Sequence, residues 1–352
     1  MREINIEQFI NLKKAIPVDV RSPEEFNEFK IPGAVNIPLF SNEERVEIGT
    51  VYKQIGSDEA KWRAMEIVSP KIPDLLRKIK DLLADNHHPV IYCWRGGMRS
   101  KAVATFLSFS GISIPRLIGG YRAYRQYILE KIPELIPDQA ITLHGMTGVG
   151  KTEVLHKLGK KGFPIIDLEG LAEHRGSIFG TYGLETGNNQ KNFDALLFQT
   201  LTEINGKPYF IIEAESKRIG KVVQPDELFH KKQQGININL QASLNSRVER
   251  IYHEYVMPYI HEVWFQEKVI ERFSYIKKRI KDREIISILD EAATFENYKL
   301  FIKTLLENYY DPRYSYKQLE YDGPFFHVEV KNSDDAVEEI MKIIESRKIK
   351  TR

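Results

Sequence analysis

Apolar and polar positions along the chain fall into two successive series of short hydrophobic runs and helical stripes. In the first, Ile6 to Leu12 has helical spacing, Ile16 to Val20 reads as a strand, and Ile31-Pro32-Gly33-Ala34-Val35-Asn36-Ile37-Pro38 reads as a turn feeding another strand. Ser22-Pro23-Glu24-Glu25 has the form of a helix start, with proline just inside the cap and acids in the first turn. Residues 41–88 are charged and helical, and Trp62, Met65, Ile67 and Val68 form a stripe expected to face the core. Pro89-Val90-Ile91-Tyr92 is a further strand, followed by helical patterns from Arg99 to Phe109 and from Tyr121 to Glu134. Pro133 and Pro137 then punctuate the chain, and a domain boundary is placed there, giving domains 1–133 and 134–352.

The second series has strands at Ala140 to His144, Pro164 to Leu168, Pro208 to Glu213, Ile236 to Gln241 and Phe325 to Val330. Helical patterns lie between them, at Lys191 to Ile204, Leu244 to Tyr255, His261 to Ile280 and Ala336 to Ile344. Such alternation implies an α/β fold with a parallel sheet covered on both faces, and ligands gathered at the carboxyl ends of its strands.

Composition changes this picture little. A chain of 352 residues, 42% hydrophobic and 28% charged with a net charge of +2, suits two soluble globular domains. Its single cysteine excludes an intrachain disulfide and suits a reducing cytoplasm. No apolar run reaches membrane-spanning length, and the start Met1-Arg2-Glu3 lacks the apolar core of a signal peptide. Lys217-Arg218 with Lys221, Lys277-Lys278-Arg279, and Arg347 to Arg352 are basic clusters, each suited to phosphates or to an ordinary solvated face.

The lone cysteine sits where chemistry is expected. Cys93 follows a strand and opens Trp94-Arg95-Gly96-Gly97-Met98-Arg99-Ser100, a glycine-containing loop at a helix N-terminus. Inward backbone N–H groups, the helix dipole, Arg95 and Arg99 all favour a thiolate there, or the anion it attacks. Cys93 to Arg99 is C-x5-R, a spacing that leaves two chemistries open: accepting a chalcogen, or attacking phosphorus as cysteine-dependent phosphatases do.

Gly145-Met146-Thr147-Gly148-Val149-Gly150-Lys151-Thr152 is G-x-x-x-x-G-K-T between a strand and a helix. Its amides can wrap a phosphate chain, Lys151 reaches the terminal oxygens and Thr152 can hold Mg²⁺. Asp167 and Glu169 are placed at the end of the second strand, and Glu213 and Glu215 at the end of the third. Glu213 ends an apolar run and is expected to contact Mg²⁺ or water. His174 and Arg175 lie in a Gly-rich segment suited either to substrate contact or to an ordinary surface turn. Arg247 and Arg250 share a helix face, open to phosphate or to ion pairs. Asp311-Pro312-Arg313-Tyr314 reads as a turn with no assigned chemistry. No segment has the spacing of a dedicated metal site.

Asp19-Val20-Arg21-Ser22-Pro23-Glu24-Glu25-Phe26, Ile31-Pro32-Gly33, the Cys93 loop and Leu117-Ile118-Gly119-Gly120-Tyr121 together resemble a rhodanese domain. Its loop is one residue longer than that of typical sulfur-transferring rhodaneses. Joined to a P-loop NTPase-like domain, and with Asp167-Leu168-Glu169-Gly170-Leu171-Ala172-Glu173-His174-Arg175-Gly176-Ser177 and Ile212-Glu213-Ala214-Glu215-Ser216-Lys217-Arg218-Ile219-Gly220, the chain resembles tRNA 2-selenouridine synthases nearly end to end. The resemblance implies a cytoplasmic transferase acting on tRNA with 2-thiouridine at the wobble position. Sulfur is S-geranylated from geranyl diphosphate, then replaced by selenium from selenophosphate, with Cys93 as selenium acceptor. It implies no tightly bound cofactor, Mg²⁺ as a candidate companion ion, and a selenophosphate-producing enzyme as a candidate partner. Phe179, Phe193, Leu197 and Phe198 are candidates for an apolar pocket beside the P-loop, though such a stripe also suits a core. The alternatives are a P-loop kinase or ATPase fused to a regulatory rhodanese-like or C-x5-R phosphatase module, and a non-catalytic tRNA-binding protein.

Overall fold

A computed structural model of the chain describes residues 2–83, 87–174 and 187–347. Contacts divide it into two compact units, Met1–Ile132 with Asp194–Gln199, and Pro133–Phe193 with Thr200–Arg352.

The first unit carries a parallel sheet in the order β1-β5-β4-β2-β3. Its strands are β1 (Glu3–Ile4), β2 (Ala15–Asp19), β3 (Val35–Asn36), β4 (His88–Tyr92) and β5 (Arg116–Leu117). Helices α1 (Ile6–Ile10), α2 (Pro23–Glu28), α3 (Asn42–Gln54), α4 (Ser57–Val68), α5 (Ile72–Asp81), α6 (Met98–Phe109) and α7 (Gly120–Leu135) alternate with them. Central β4 is buried along Pro89 to Tyr92, and Ile91 packs with Val18, Val103 and Leu107 in the core. Capping boxes start α1 at Asn5 with Gln8 and α3 at Ser41 with Glu44.

One expectation for this unit fails. Trp62 and Met65 do not face a core: they are 70% and 48% exposed, while Val68 of the same stripe is buried. Met65 lines an open groove against the α3–α4 hairpin. Helix α7 runs through Pro133 to Leu135, one residue beyond the expected Glu134, because a proline in the last turn frees only one carbonyl near an end that already has unpaired ones.

The second unit carries a parallel sheet in the order β12-β11-β6-β8-β7. Its first half comprises β6 (Gln139–His144), α8 (Lys151–Lys160), β7 (Ile165–Ile166), α9 (Leu168–Ala172), α10 (Gln190–Glu203, of which Asp194–Gln199 are grouped with the first unit) and β8 (Tyr209–Glu213). A small antiparallel pair, β9 (Arg218–Ile219) and β10 (Val222–Val223), follows, then α11 (Asp226–Gln234) and β11 (Ile236–Gln241). Between β11 and β12 (Phe325–Glu329) lies a helical layer of α12 (Leu244–Ile251), α13 (Phe265–Lys277), α14 (Arg283–Thr294), α15 (Tyr298–Leu305) and α16 (Asp311–Gln318); α17 (Ser333–Ser346) ends the fold. The sheet and α8 share one core, and the helical layer has its own around Phe265, Phe273 and Phe301. Two π-helical segments, Tyr252–Val256 and Leu306–Tyr310, interrupt that layer.

The second-strand expectation is corrected here: β7 stops at Ile166, and Asp167 is the N-cap of α9, its side chain accepting from the Gly170 amide, so Glu169 lies in a helix. A capping aspartate favours turning the chain into a helix over continuing a strand. Asp311 to Tyr314 is helical, not a turn, continuing from the second π segment.

Candidate active site

The Cys93 loop closes on the segment after β5. The Cys93 carbonyl accepts from the Tyr121 amide at 2.9 Å and the Trp94 carbonyl from the Arg122 amide at 3.0 Å. Gly120 is required at this contact: its φ is +57°, and a Cβ would strike the Cys93 carbonyl. The thiol is buried at 3% exposure, with Sγ 3.2 Å from the Ser100 hydroxyl, which also donates to the Gly97 carbonyl at 3.3 Å. Ser100 sits in the first turn of α6, and Gly97 caps that helix.

The two loop arginines have different surroundings. Arg99 pairs through both terminal nitrogens with Glu25, which also accepts from the Ser22 amide at 3.1 Å as part of the α2 cap. Burial pushes the Glu25 carboxyl up, but Arg99, the Ser22 amide and Arg45 outweigh it and hold the group below its usual range. Arg95 is exposed. Trp94 stacks on Tyr121 at 5.6 Å, and Gly96 gives its carbonyl to the Arg116 guanidinium. Met98 and Arg99 also line a groove of about 1040 Å³ against the α3–α4 hairpin, whose walls include Phe40, Val46, Met65 and Phe106.

Beneath the first unit's sheet ends, Arg21 and Asp19 form a fully buried ion pair at 2.6 Å. The Arg21 guanidinium lies 4.6 Å from the Phe29 ring and 5.3 Å from the Tyr121 ring, so this arginine braces the loop and does not face a ligand.

In the second unit, the loop from Gly145 to Gly150 joins β6 to α8. The amides of Gly148, Gly150, Lys151 and Thr152 find no acceptor among the described residues, whereas the carbonyls behind them are held. Arg247 donates to the Thr147 carbonyl at 3.3 Å, and Arg250 donates to the carbonyls of Gly148 and Val149. Gly145 has φ of +150°, where a Cβ would meet Val149 Cγ1 at 2.6 Å and the Leu240 carbonyl at 2.9 Å. The result is a row of open donors at a helix start, which is an anion cradle.

Lys151 donates to the Gly145 carbonyl at 2.9 Å. Burial opposes its charge, but Glu215, Tyr314, Glu213 and Glu169 more than compensate and raise its pKa. The Thr152 hydroxyl donates to Glu213 Oε1 at 2.6 Å and lies 3.5 Å from Glu169 Oε2. Glu213 is fully buried at the end of β8, and its Oε2 has no hydrogen-bond partner among the described residues. Burial first, then the charges of Glu169, Glu215 and Asp167, push its carboxyl up to about 8 against the Thr152 hydrogen bond.

These groups open onto a cavity of about 1000 Å³ that is also lined by Asp167, Glu169, His174 and Glu215. Asp167 bonds His156 Nε2 at 2.6 Å. Arg175 and Phe179 lie outside the described residues. Phe193 and Leu197 are fully buried and Phe198 nearly so, and none of the three lines the cavity; its less polar walls are Ile251, Tyr255, Tyr309 and Tyr310. These last residues come from the helical layer, and patterning gave no sign of them.

Sequence reasoning also missed three supports. Arg247 is buried and pairs with Asp311 at 2.7 Å, so it serves neither as a phosphate ligand nor as a surface ion pair. Tyr314 places its hydroxyl on the Gly145 amide. Lys232 is fully buried and donates to the Glu215 carbonyl at 2.5 Å and to Gln224 at 3.1 Å, which fixes the turn after β8. A lysine in an amphipathic helix gives no sequence signal for such a role. Among the described residues, no three or more His, Cys, Asp and Glu side chains are grouped to hold a metal, and no helix is long and apolar enough to cross a membrane.

Comparison with known proteins agrees with both halves. Residues 5–127 match the rhodanese-like domain model, and residues 138–348 match the model described as the tRNA 2-selenouridine synthase AAA domain. A tRNA 2-selenouridine synthase of Bdellovibrio bacteriovorus is 31% identical, covering 89% of this chain and 92% of its own. One from Pseudomonas syringae pv. syringae is 34% identical over 86% of this chain and 88% of its own, and one from Hydrogenovibrio crunogenus is 33% identical over 90% and 94%. A rhodanese-like α/β domain followed by a P-loop-like α/β domain thus accounts for nearly the whole length, and the chain belongs to the tRNA 2-selenouridine synthase family.

Proposed function

We propose that this protein replaces sulfur by selenium in the wobble 2-thiouridine of tRNA in two steps, and that its two loops divide the work. Geranyl diphosphate binds at the Gly145–Thr152 loop, and the 2-thio sulfur of the base attacks its C1 carbon, releasing diphosphate. The thioether so formed is a better leaving group than the thiocarbonyl sulfur. The selenium of selenophosphate then adds at C2, geranyl thiol departs, and water cleaves the Se–P bond, leaving 2-selenouridine and phosphate. Cys93 serves this second step, and the loop from Trp94 to Ser100 that it opens holds the selenophosphate anion.

One observation carries the first step: the amides of Gly148, Gly150, Lys151 and Thr152 stand open beside Lys151. Donors aimed at a departing diphosphate lower the barrier for its release without any need for ATP hydrolysis. Thr152 and the unpartnered Glu213 Oε2 fit a hydrated Mg²⁺, which usually keeps several waters and takes one or two carboxylates besides phosphate. Such an ion would neutralise charge on the leaving group. The tyrosines Tyr255, Tyr309 and Tyr310 offer the prenyl chain an aromatic wall.

The test mixes the protein with 2-thiouridine-containing tRNA, geranyl diphosphate and Mg²⁺ without ATP, and analyses the nucleosides by mass spectrometry. S-geranyl-2-thiouridine is the expected product, converted to 2-selenouridine when selenophosphate is added. Binding of tRNA with no change to the base under these conditions would sink the proposal.

A further inference from the structure

The start of α16 brings charged and polar groups to the P-loop cavity that no motif assigns. Arg313 is exposed and lines that cavity. Its guanidinium donates to the Tyr309 carbonyl and lies 3.7 Å from the centre of the Tyr309 ring. Among the described residues no carboxylate pairs with it, although Glu153, Asp167, Glu169, Glu173, Glu215 and Glu254 line the same space. The next residue, Tyr314, accepts a hydrogen bond from the Gly145 amide, the first of the loop.

Arg247 fastens this helix start to the loop. It donates to both oxygens of Asp311, at 2.8 and 2.7 Å, and to the Thr147 carbonyl at 3.3 Å, and it is itself buried. A bidentate pair of this kind holds direction as well as distance. Arg313 and Tyr314 are therefore presented to the cradle by a fixed strut. The π segments Leu306–Tyr310 and Tyr252–Val256 supply Tyr309, Tyr310, His253 and Tyr255 to the same cavity, and π segments frequently mark functional sites.

We infer that Arg313 is a ligand-contacting cation of the P-loop site, and that Tyr314 occupies the Gly145 amide until an anionic oxygen of the ligand replaces it. The inference rests on the diphosphate reading given above. A diphosphate entering a space lined by so many carboxylates needs cations beyond Lys151. Arg313 is suited to the task because its planar fork matches two phosphate oxygens and it has no carboxylate to leave. The phenol oxygen is a neutral acceptor, and a charged oxygen makes a bond roughly twice as strong with the same amide, so the exchange favours the ligand.

The test is calorimetric titration of the full chain with inorganic pyrophosphate and MgCl₂, using wild type, Arg313→Ala, Arg313→Lys and Tyr314→Phe, with thermal melts to confirm folding. Arg313→Ala should bind at least about tenfold more weakly, the loss expected for one charge-assisted hydrogen bond, and Arg313→Lys should recover part of it. Tyr314→Phe, which removes the competing acceptor, should bind several-fold more tightly. Arg313→Gln replaces the alanine variant should that one fail to fold. Wild-type affinity in Arg313→Ala would overturn the role given to Arg313, and unchanged or weaker binding in Tyr314→Phe would overturn the role given to Tyr314. A wild-type protein that binds no pyrophosphate would instead remove the diphosphate reading, and this inference with it.

Discussion

The Cys93 loop and the Gly145–Thr152 loop have the same local plan, strand, glycine-containing loop, helix, and they have been finished in opposite ways. In the first, the surrounding backbone is taken up: the Cys93 and Trp94 carbonyls are bonded by Tyr121 and Arg122, Arg99 is paired with Glu25, and the sulfur is buried. In the second, carbonyls are held from behind by Arg247 and Arg250 while the amides in front stay open. Under the proposed division of labour, a group that serves one reaction step has to be kept in one place across many turnovers, which favours a closed loop. A leaving group has to be received and released, which favours open donors and a cluster of opposing charges that no single state satisfies. The glycines are alike; the partners of the carbonyls and arginines differ.

The largest effects should come from removing the group each loop presents. Cys93→Ser is expected to abolish 2-selenouridine formation while S-geranyl product still accumulates, both read by nucleoside mass spectrometry. Lys151→Ala should lower the rate of geranylation by about 10²–10³, the loss typical of one preorganised stabiliser of developing charge. The reverse pattern, geranylation lost with Cys93 and spared without Lys151, would break the division of labour between the loops.

Both loops were legible in the sequence because each is local: a strand, a short run of glycines and a helix start lie within a dozen residues. Glu213 was legible for the same reason, as the acid that ends the apolar run of β8. What surrounds the loops was not. Arg247 meets Asp311 across 64 positions, and Gly145 meets Tyr314 across 169, so neither pairing leaves a pattern in any window of sequence. Asp311 to Tyr314 carries the proline and aspartate of a turn, yet the segment is helical, continuing without a break from the π segment Leu306–Tyr310. The Trp62 stripe fails differently. Its period is that of a helix, but period identifies a face, and only the tertiary partner decides whether the face is buried.

A smaller effect, in stability, probes the open loop. With its folded-state pKa raised to about 8 above the ordinary carboxylate value, Glu213 binds its proton more tightly in the folded protein. That contribution is complete below about pH 4.5 and is lost as pH rises through 8. In metal-free buffer, wild type should therefore match Glu213→Gln in melting temperature at pH 5 and fall a few degrees below it at pH 9. Added Mg²⁺ should close that gap, because a cation favours the ionised carboxylate. A gap that is the same at both pH values would show that Glu213 does not titrate in the open cradle.

The smallest effect expected probes the closed loop. Glu25 has its pKa lowered: burial works against the charge, but the hydrogen bond and charge of Arg99, the Ser22 amide and Arg45 prevail. The stability this provides is present above the unfolded carboxylate range and is lost as pH falls through the folded value, the opposite sign to Glu213. Both partners are largely buried, at 16% and 28% side-chain exposure, so Glu25→Gln should cost about 1–3 kcal/mol at pH 7 in urea unfolding, and progressively less as pH falls below 4. Thermal unfolding in high salt separates this from a surface pair, since screening should remove little of the difference. The variant also sharpens the contrast between the loops. If Arg99 is held by Glu25 in order to keep the cysteine loop closed, releasing it should slow selenation and leave geranylation at the wild-type rate; an equal fall in both would mean that Glu25 supports the fold at large and not the cysteine loop.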